Sequence, residues 1–318
     1  MRSSFSSAVL ALFFFSPCIC LSQNGSKVSP LRTYTILPSL TDKSIDTYSN
    51  PGDEHYVYIS DTAKHLNKLF VFLPGTHGRG KTPRSIVSFA ASLGYHAISL
   101  TYPSDVALAQ VCKRNNDRDC FDNGREEICF GNDVSNAWNV NKANCIENRL
   151  NKLLLYLDSV YPKDNWAQFL INRKEIDWGK ICIAGQSQGG GHAAFIAQQK
   201  RVDRVIMFAS PKDYSNTFKQ PGAWLYKKSS TPLDSYFGFV HTLDETNGCT
   251  WPEQKEIFTV MGFDRLGKWE NVDDIAPPYN HTHTLTSIKK QNFPHGSVIT
   301  DTSYNIAWKY MLLEKINK

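Results

Sequence analysis

No Cys-x-x-Cys occurs in this chain of 318 residues, although it holds eight cysteines. Four of them crowd into residues 112–145, and no histidine lies among them, so the spacing of a structural zinc site is missing. No run of lysine and arginine forms a basic stripe. The formal net charge is +5, with 35 basic residues scattered among 30 acidic ones, which gives no ground for a nucleic-acid partner. Beyond residue 22 no segment reaches the roughly 20 apolar residues that span a bilayer, so no membrane span is expected. No internal repeat and no low-complexity linker divides the chain. With 41% hydrophobic residues it can bury a sizeable core, as one large domain or two small ones.

The first 22 residues have a different character. Arg2 gives a positive start, residues 9–15 form an apolar centre, and small residues follow around Cys18, Cys20 and Ser22. This is the pattern of a secretory signal peptide, which leaves residues 23–318 as the mature protein and places it in a secretory-pathway compartment or outside the cell. Six cysteines then remain: Cys112, Cys120, Cys129, Cys145, Cys182 and Cys249. An oxidising compartment invites pairing, and two disulfides within 112–145 would staple a polar stretch without a core of its own. Cys182 reads as a small buried apolar residue. Sequons for glycosylation occur at Asn24 and Asn280.

Strand and helix patterns alternate along the rest. Residues 55–59, 69–73, 96–100, 181–184, 204–209 and 236–240 read as strands, and 69–73 is apolar throughout, as a buried central strand should be. Helices are expected from Pro83 to Leu93, from Ile146 to Val160, and from about Thr302 to Lys315. Residues 103–144 interrupt the alternation and read as an insertion over the sheet. The expectation is one α/β domain with a mostly parallel sheet.

One motif stands out. The apolar run Ile181-Cys182-Ile183-Ala184 leads into Gly185-Gln186-Ser187-Gln188-Gly189, and a helix pattern follows from His192. A strand that turns sharply into a helix through Gly-x-Ser-x-Gly is a nucleophile elbow. Glycines two before and two after the serine let strand and helix approach, and the helix N-terminus favours negative charge beside the hydroxyl. A serine hydroxyl needs a base, and the base needs a carboxylate. In elbow folds the chain order is nucleophile, acid, base. His295, in a turn-forming stretch shortly before the last helix, is the preferred base, with His283 the alternative. Asp244, beyond the strand 236–240, is the preferred acid, with Asp213, beyond 204–209, the alternative. The oxyanion donors expected are the N–H groups of Gln188 and Thr76, the latter in Leu73-Pro74-Gly75-Thr76. Residues 213–235, with Trp224, Leu225 and Tyr226 beside Lys227 and Lys228, read either as a short lid or acyl wall or as an amphipathic surface turn.

These motifs, with Val240-His241-Thr242-Leu243-Asp244 and Pro294-His295-Gly296, resemble those of α/β-hydrolases over roughly residues 55–315. Glu147-Asn148-Arg149-Leu150 and Trp178 are shared with a less-studied group of serine hydrolases. The resemblance implies an α/β-hydrolase fold with a Cys-rich insertion at 103–144, Ser187 as nucleophile, Asp244 as acid, His295 as base, and Thr76 and Gln188 as oxyanion donors. It implies hydrolysis of a small-molecule carboxylic ester through an acyl-enzyme, with no metal and no organic cofactor. It names no substrate, and glutamine on both sides of Ser187 departs from many lipases and esterases. A ligand-binding protein of the same fold and an acyltransferase remain the alternatives.

Overall fold

The computed structural model describes residues 31–45, 53–246 and 248–316. The expected signal peptide and Asn24 lie outside the described residues. Nine strands form one sheet: β1 (Leu31–Ile36), β2 (His55–Ser60), β3 (Leu69–Leu73), β4 (His96–Ser99), β5 (Ile181–Gln186), β6 (Arg204–Phe208), β7 (Tyr236–His241), β8 (Glu270–Asn271) and β9 (Thr284–Ser287). Their order is β1-β2-β4-β3-β5-β6-β7-β9-β8. All neighbours from β4 to β8 in that order pair in parallel, while β2 runs antiparallel to both β1 and β4. A mostly parallel sheet with an elbow at the end of its central strand is the α/β-hydrolase fold.

Both faces of the sheet are covered, which is why the central strands read as continuous apolar runs. Side chains alternate between the faces. Leu69, Val71 and Leu73 belong to one core, with Leu150, Leu153 and Leu154 of the helix Ile146–Val160 and Ala193 and Ile196 of the helix Gln188–Gln199. Phe70 and Phe72 belong to the other, with Ile86 and Val87 of the helix Arg84–Ser92 and Trp308 and Met311 of the helix Asn305–Leu313. Full burial of such a side chain contributes roughly 1.5–3 kcal/mol. The helix 146–160 has the bounds its periodicity predicts. The last helix is shorter than expected. Asp301 caps a 3₁₀ turn over Thr302–Tyr304 through the Ser303 N–H, and the α-helix starts only at Asn305.

The insertion departs from its sequence reading. It holds the helices Leu108–Cys112 and Cys120–Phe130, and Phe121, Ile128, Cys129, Phe130 and Trp138 join the main core. A single disulfide, Cys112–Cys120, joins those helices. Two were expected, but Cys129 and Cys145 are reduced and buried, as are Cys182 and Cys249. Burial pushes all four thiols up from the ordinary cysteine value.

His55, at the start of β2, is wholly buried and accepts the Thr101 N–H on Nδ1 at 3.1 Å. Desolvation, with the nearby Arg149 charge second, pushes its pKa down to about 3. The unfolded chain therefore takes up a proton here before the folded protein does, and stability falls as pH drops from about 6.5 towards that value. Urea unfolding between pH 7 and 4 should show this loss, and His55→Gln should flatten the slope. An equally steep decline in the variant would exclude His55 as its source.

Candidate active site

The central strands end together, and the site is built on their carboxyl ends. Gly185 lies opposite Leu73 of β3 and Met207 of β6. Ser187 takes φ 57° and ψ −124°, a strained conformation for a residue with a side chain. Its N–H donates to the Phe208 carbonyl at 2.9 Å. The flanking glycines are required by contact. A Cβ on Gly185 would lie 2.3 Å from the Gly189 carbonyl carbon, and one on Gly189 would lie 2.1 Å from the Leu73 oxygen. The strand LFVFL and the elbow helix thus touch backbone to backbone, which places the loop after β3 beside the serine.

In that loop, a Cβ on Gly75 would lie 3.1 Å from Ser187 Cβ. Among the described residues, neither the Thr76 nor the Gln188 N–H donates to another group. The Gln188 side chain ties the surrounding loops together. Its Oε1 accepts from Thr76 Oγ1 at 3.1 Å and from the Leu108 N–H at 2.9 Å, and its Nε2 donates to the Val106 carbonyl at 3.4 Å. The insertion therefore contributes directly to the wall beside Ser187.

Asp244 and His295 meet from separate loops. Asp244 follows β7 in a turn closed by its N–H on the His241 carbonyl. His295 lies in the first turn of the helix Pro294–Thr300. His295 Nδ1 donates to Asp244 Oδ2 at 2.7 Å. The other oxygen, Oδ1, accepts from the Thr246 N–H at 2.9 Å and the Thr246 hydroxyl at 2.6 Å. Burial alone would raise the Asp244 carboxyl, but the hydrogen bond from His295 and the charges of His295 and Lys212 outweigh it and hold the group well below the usual carboxylate range. The histidine is oriented from two more sides. Its N–H donates to Glu245 Oε2 at 3.0 Å, and its carbonyl accepts from Gln186 Nε2 at 3.2 Å.

Ser187, Asp244, His295, Thr76 and Gln188 all line one cavity of about 1400 Å³. That exceeds the roughly 300–1000 Å³ of a typical ligand pocket. Such an arrangement can orient an imidazole, hold its conjugate acid against a carboxylate, and offer two N–H groups to an anion near the serine.

The alternative residues are engaged elsewhere. Asp213 also lines the cavity, but both its oxygens are taken by Arg125, with Nε–Oδ2 at 2.6 Å and Nη2–Oδ1 at 2.5 Å, and Trp224 Nε1 adds a third bond at 2.7 Å. His283 lies outside the cavity lining, stacked on Phe237 with Nδ1 on the Tyr236 carbonyl at 2.8 Å. Within 213–235, two of the aromatic and apolar residues read as a lid or surface turn are core instead. Trp224 and Leu225 are buried, and only Tyr226 is exposed. The indole is drawn inwards because Asp213 gives its N–H a buried acceptor. Asn280 is exposed, with Nδ2 on Glu270 Oε1 at 2.9 Å.

Arg125, Lys212 and Glu245 escaped the sequence reading. Lys212 stands directly before a candidate acid, yet nothing in Ser210-Pro211-Lys212-Asp213 marks the lysine as buried. Arg125 is 88 residues from its partner and sits in a segment with little periodicity.

Among the described residues, no cluster of histidine, cysteine and acidic side chains could hold a metal ion, and no helix is long and apolar enough to cross a membrane. No protein-family model matches the sequence, and no curated protein matches it. Solved structures similar to it include esterase B from Lactobacillus rhamnosis (HN001), at 13% identity and a TM-score of 0.42, over 89% of this chain and 86% of that one. The phosphonate-inhibited form of esterase B is similar at 12% identity and a TM-score of 0.43, with the same coverage of 89% and 86%. By its strand order and its strained elbow, the chain has the fold of the α/β-hydrolases.

Proposed function

We propose that the protein is a secreted serine hydrolase that cleaves a small-molecule carboxylic ester through a covalent acyl-enzyme. The observation that carries this reading is the strained Ser187 facing the same cavity as a hydrogen-bonded Asp244–His295 pair. A hydrogen bond from Ser187 Oγ to His295 Nε2 is the contact the proposal adds.

In this mechanism His295 takes the hydroxyl proton as Ser187 Oγ attacks the ester carbonyl. The carbonyl oxygen becomes an oxyanion and is held by the Thr76 and Gln188 N–H groups. Collapse of the tetrahedral intermediate breaks the ester bond, and His295 returns the proton to the departing alkoxide. Water, deprotonated by His295, then attacks the acyl-serine; as the acyl–Oγ bond breaks, His295 returns that proton to Ser187 Oγ and the carboxylic acid leaves. Asp244 remains ionised throughout and supports the imidazolium. The Cys112–Cys120 disulfide supports an oxidising compartment, as does the apolar leader at 1–22. Glycosylation at Asn24 and Asn280 belongs to the same proposal.

Diisopropyl fluorophosphate should label Ser187, and p-nitrophenyl esters of rising chain length should be turned over. A folded protein that resists the label and hydrolyses none of these esters would defeat the reading.

A further inference from the structure

Lys212 takes no part in that mechanism, yet it is buried against the acid. It follows β6, and its side chain and that of Asp244 are each 7% exposed. Lys212 Nζ lies 2.7 Å from Asp244 Oδ2. His295 Nδ1 lies 2.7 Å from the same oxygen. Lys212 Nζ also donates to Thr246 Oγ1, whose own bond runs to Asp244 Oδ1. A cation and an imidazole thus share one carboxylate oxygen. Burying an ammonium carries a desolvation cost, and an apolar side chain of similar volume often serves stability as well or better. Fold stability alone is therefore a weak reason for a lysine at this point.

We infer that Lys212 is a positioning residue of the triad, whose charge on the shared Asp244 oxygen offsets the hold of that carboxylate on the His295 imidazolium. The inference rests on the reading of Ser187, Asp244 and His295 as a triad. The Asp244 carboxylate favours the imidazolium, and an ammonium on the same oxygen opposes it. Other charges face this region. Glu245 accepts the His295 backbone N–H and acts in the same direction as Asp244. Asp213 and Arg125 close on each other. Glu253 and Lys113, of opposite sign, face Cys249 on the wall beyond Lys212. The largest charge effects on the Asp244 carboxylate come from His295 and Lys212.

The test is kcat/KM against pH on a p-nitrophenyl ester for wild type, Lys212→Met, Lys212→Gln and Lys212→Arg. The acidic limb should move to higher pH by about one unit in the two neutral variants and hold its place in Lys212→Arg. A limb that stays in place in the neutral variants, even with a lower plateau, overturns the inference, because a purely structural lysine would change the rate and leave the limb. Failure of both neutral variants to fold overturns it too, since Lys212 would then be a support of the fold. Ser187→Ala, measured alongside, separates the two levels. Activity that persists there defeats the triad itself, whereas its loss beside an unmoved limb defeats only the role of Lys212.

Discussion

Ser187→Ala is expected to lower ester hydrolysis by a factor on the order of 10⁶, with KM little changed and the fold intact. The size of the effect follows from the division of labour. In the proposed mechanism, removing the hydroxyl removes the covalent route, while the Thr76 and Gln188 N–H groups and the cavity are left to bind and polarise the ester. A residual rate of about 10³–10⁴ over water is what such remnants supply. In the proposed triad the three residues act as a unit, so adding His295→Ala to Ser187→Ala should lower the rate little further. The substitution also removes an oxygen from a strained position without changing the Cβ, so the elbow keeps its packing against Gly75. Steady-state kinetics with thermal unfolding as a fold control decide the matter. A variant within tenfold of wild type would mean that another group is the nucleophile.

The largest expected effect on stability belongs to Arg125. Its guanidinium is 1% exposed and grips an Asp213 carboxylate that is 4% exposed. It also donates to the Gln188 carbonyl at 3.3 Å and approaches His192 Nδ1 at 3.2 Å, so it links the insertion to the elbow helix. Arg125→Ala strands the Asp213 charge in the interior and should cost about 3–5 kcal/mol in urea unfolding. The double variant Arg125→Met/Asp213→Leu should recover most of that loss, since no unpaired charge remains. A single-variant cost below about 1 kcal/mol would show that Asp213 finds another partner or reaches water.

Much of this arrangement is legible in the order of residues. The elbow is local: its glycines, its serine and the apolar strand before it are contiguous, and Gly185 is fixed by its contact with Gly189, although Gly189 itself is fixed by Leu73 of β3. The helix 146–160 is read to the residue because its apolar face repeats over 15 positions. Asp244 and His295 could be ranked because each follows a recognisable strand or precedes a recognisable helix. β9, by contrast, was missed. Thr284-Leu285-Thr286-Ser287 is polar in composition, yet all four residues are buried, and the hydroxyls are satisfied by neighbours such as Tyr304 and Thr282. The pairs that brace the site are illegible for a related reason. Arg125 with Asp213, and Lys212 with Asp244, are charged residues that would ordinarily be assigned to the surface. Only tertiary contact brings each pair together, and no periodicity records it. The insertion was misjudged in the same way, because its polar residues outnumber the few aromatics that anchor it.

The four reduced cysteines among the described residues have a practical consequence. Cys129, Cys145, Cys182 and Cys249 lie in the insertion, at the start of the helix 146–160, in β5 and beside the cavity. Buried thiols with raised pKa values react slowly with alkylating reagents. Each therefore acts as a timer for the opening of its own region. Mass-resolved alkylation should give four separate clocks within one native chain, without a label being introduced. If the wall of the cavity loosens before the sheet does, Cys249 should be modified first and Cys182 last.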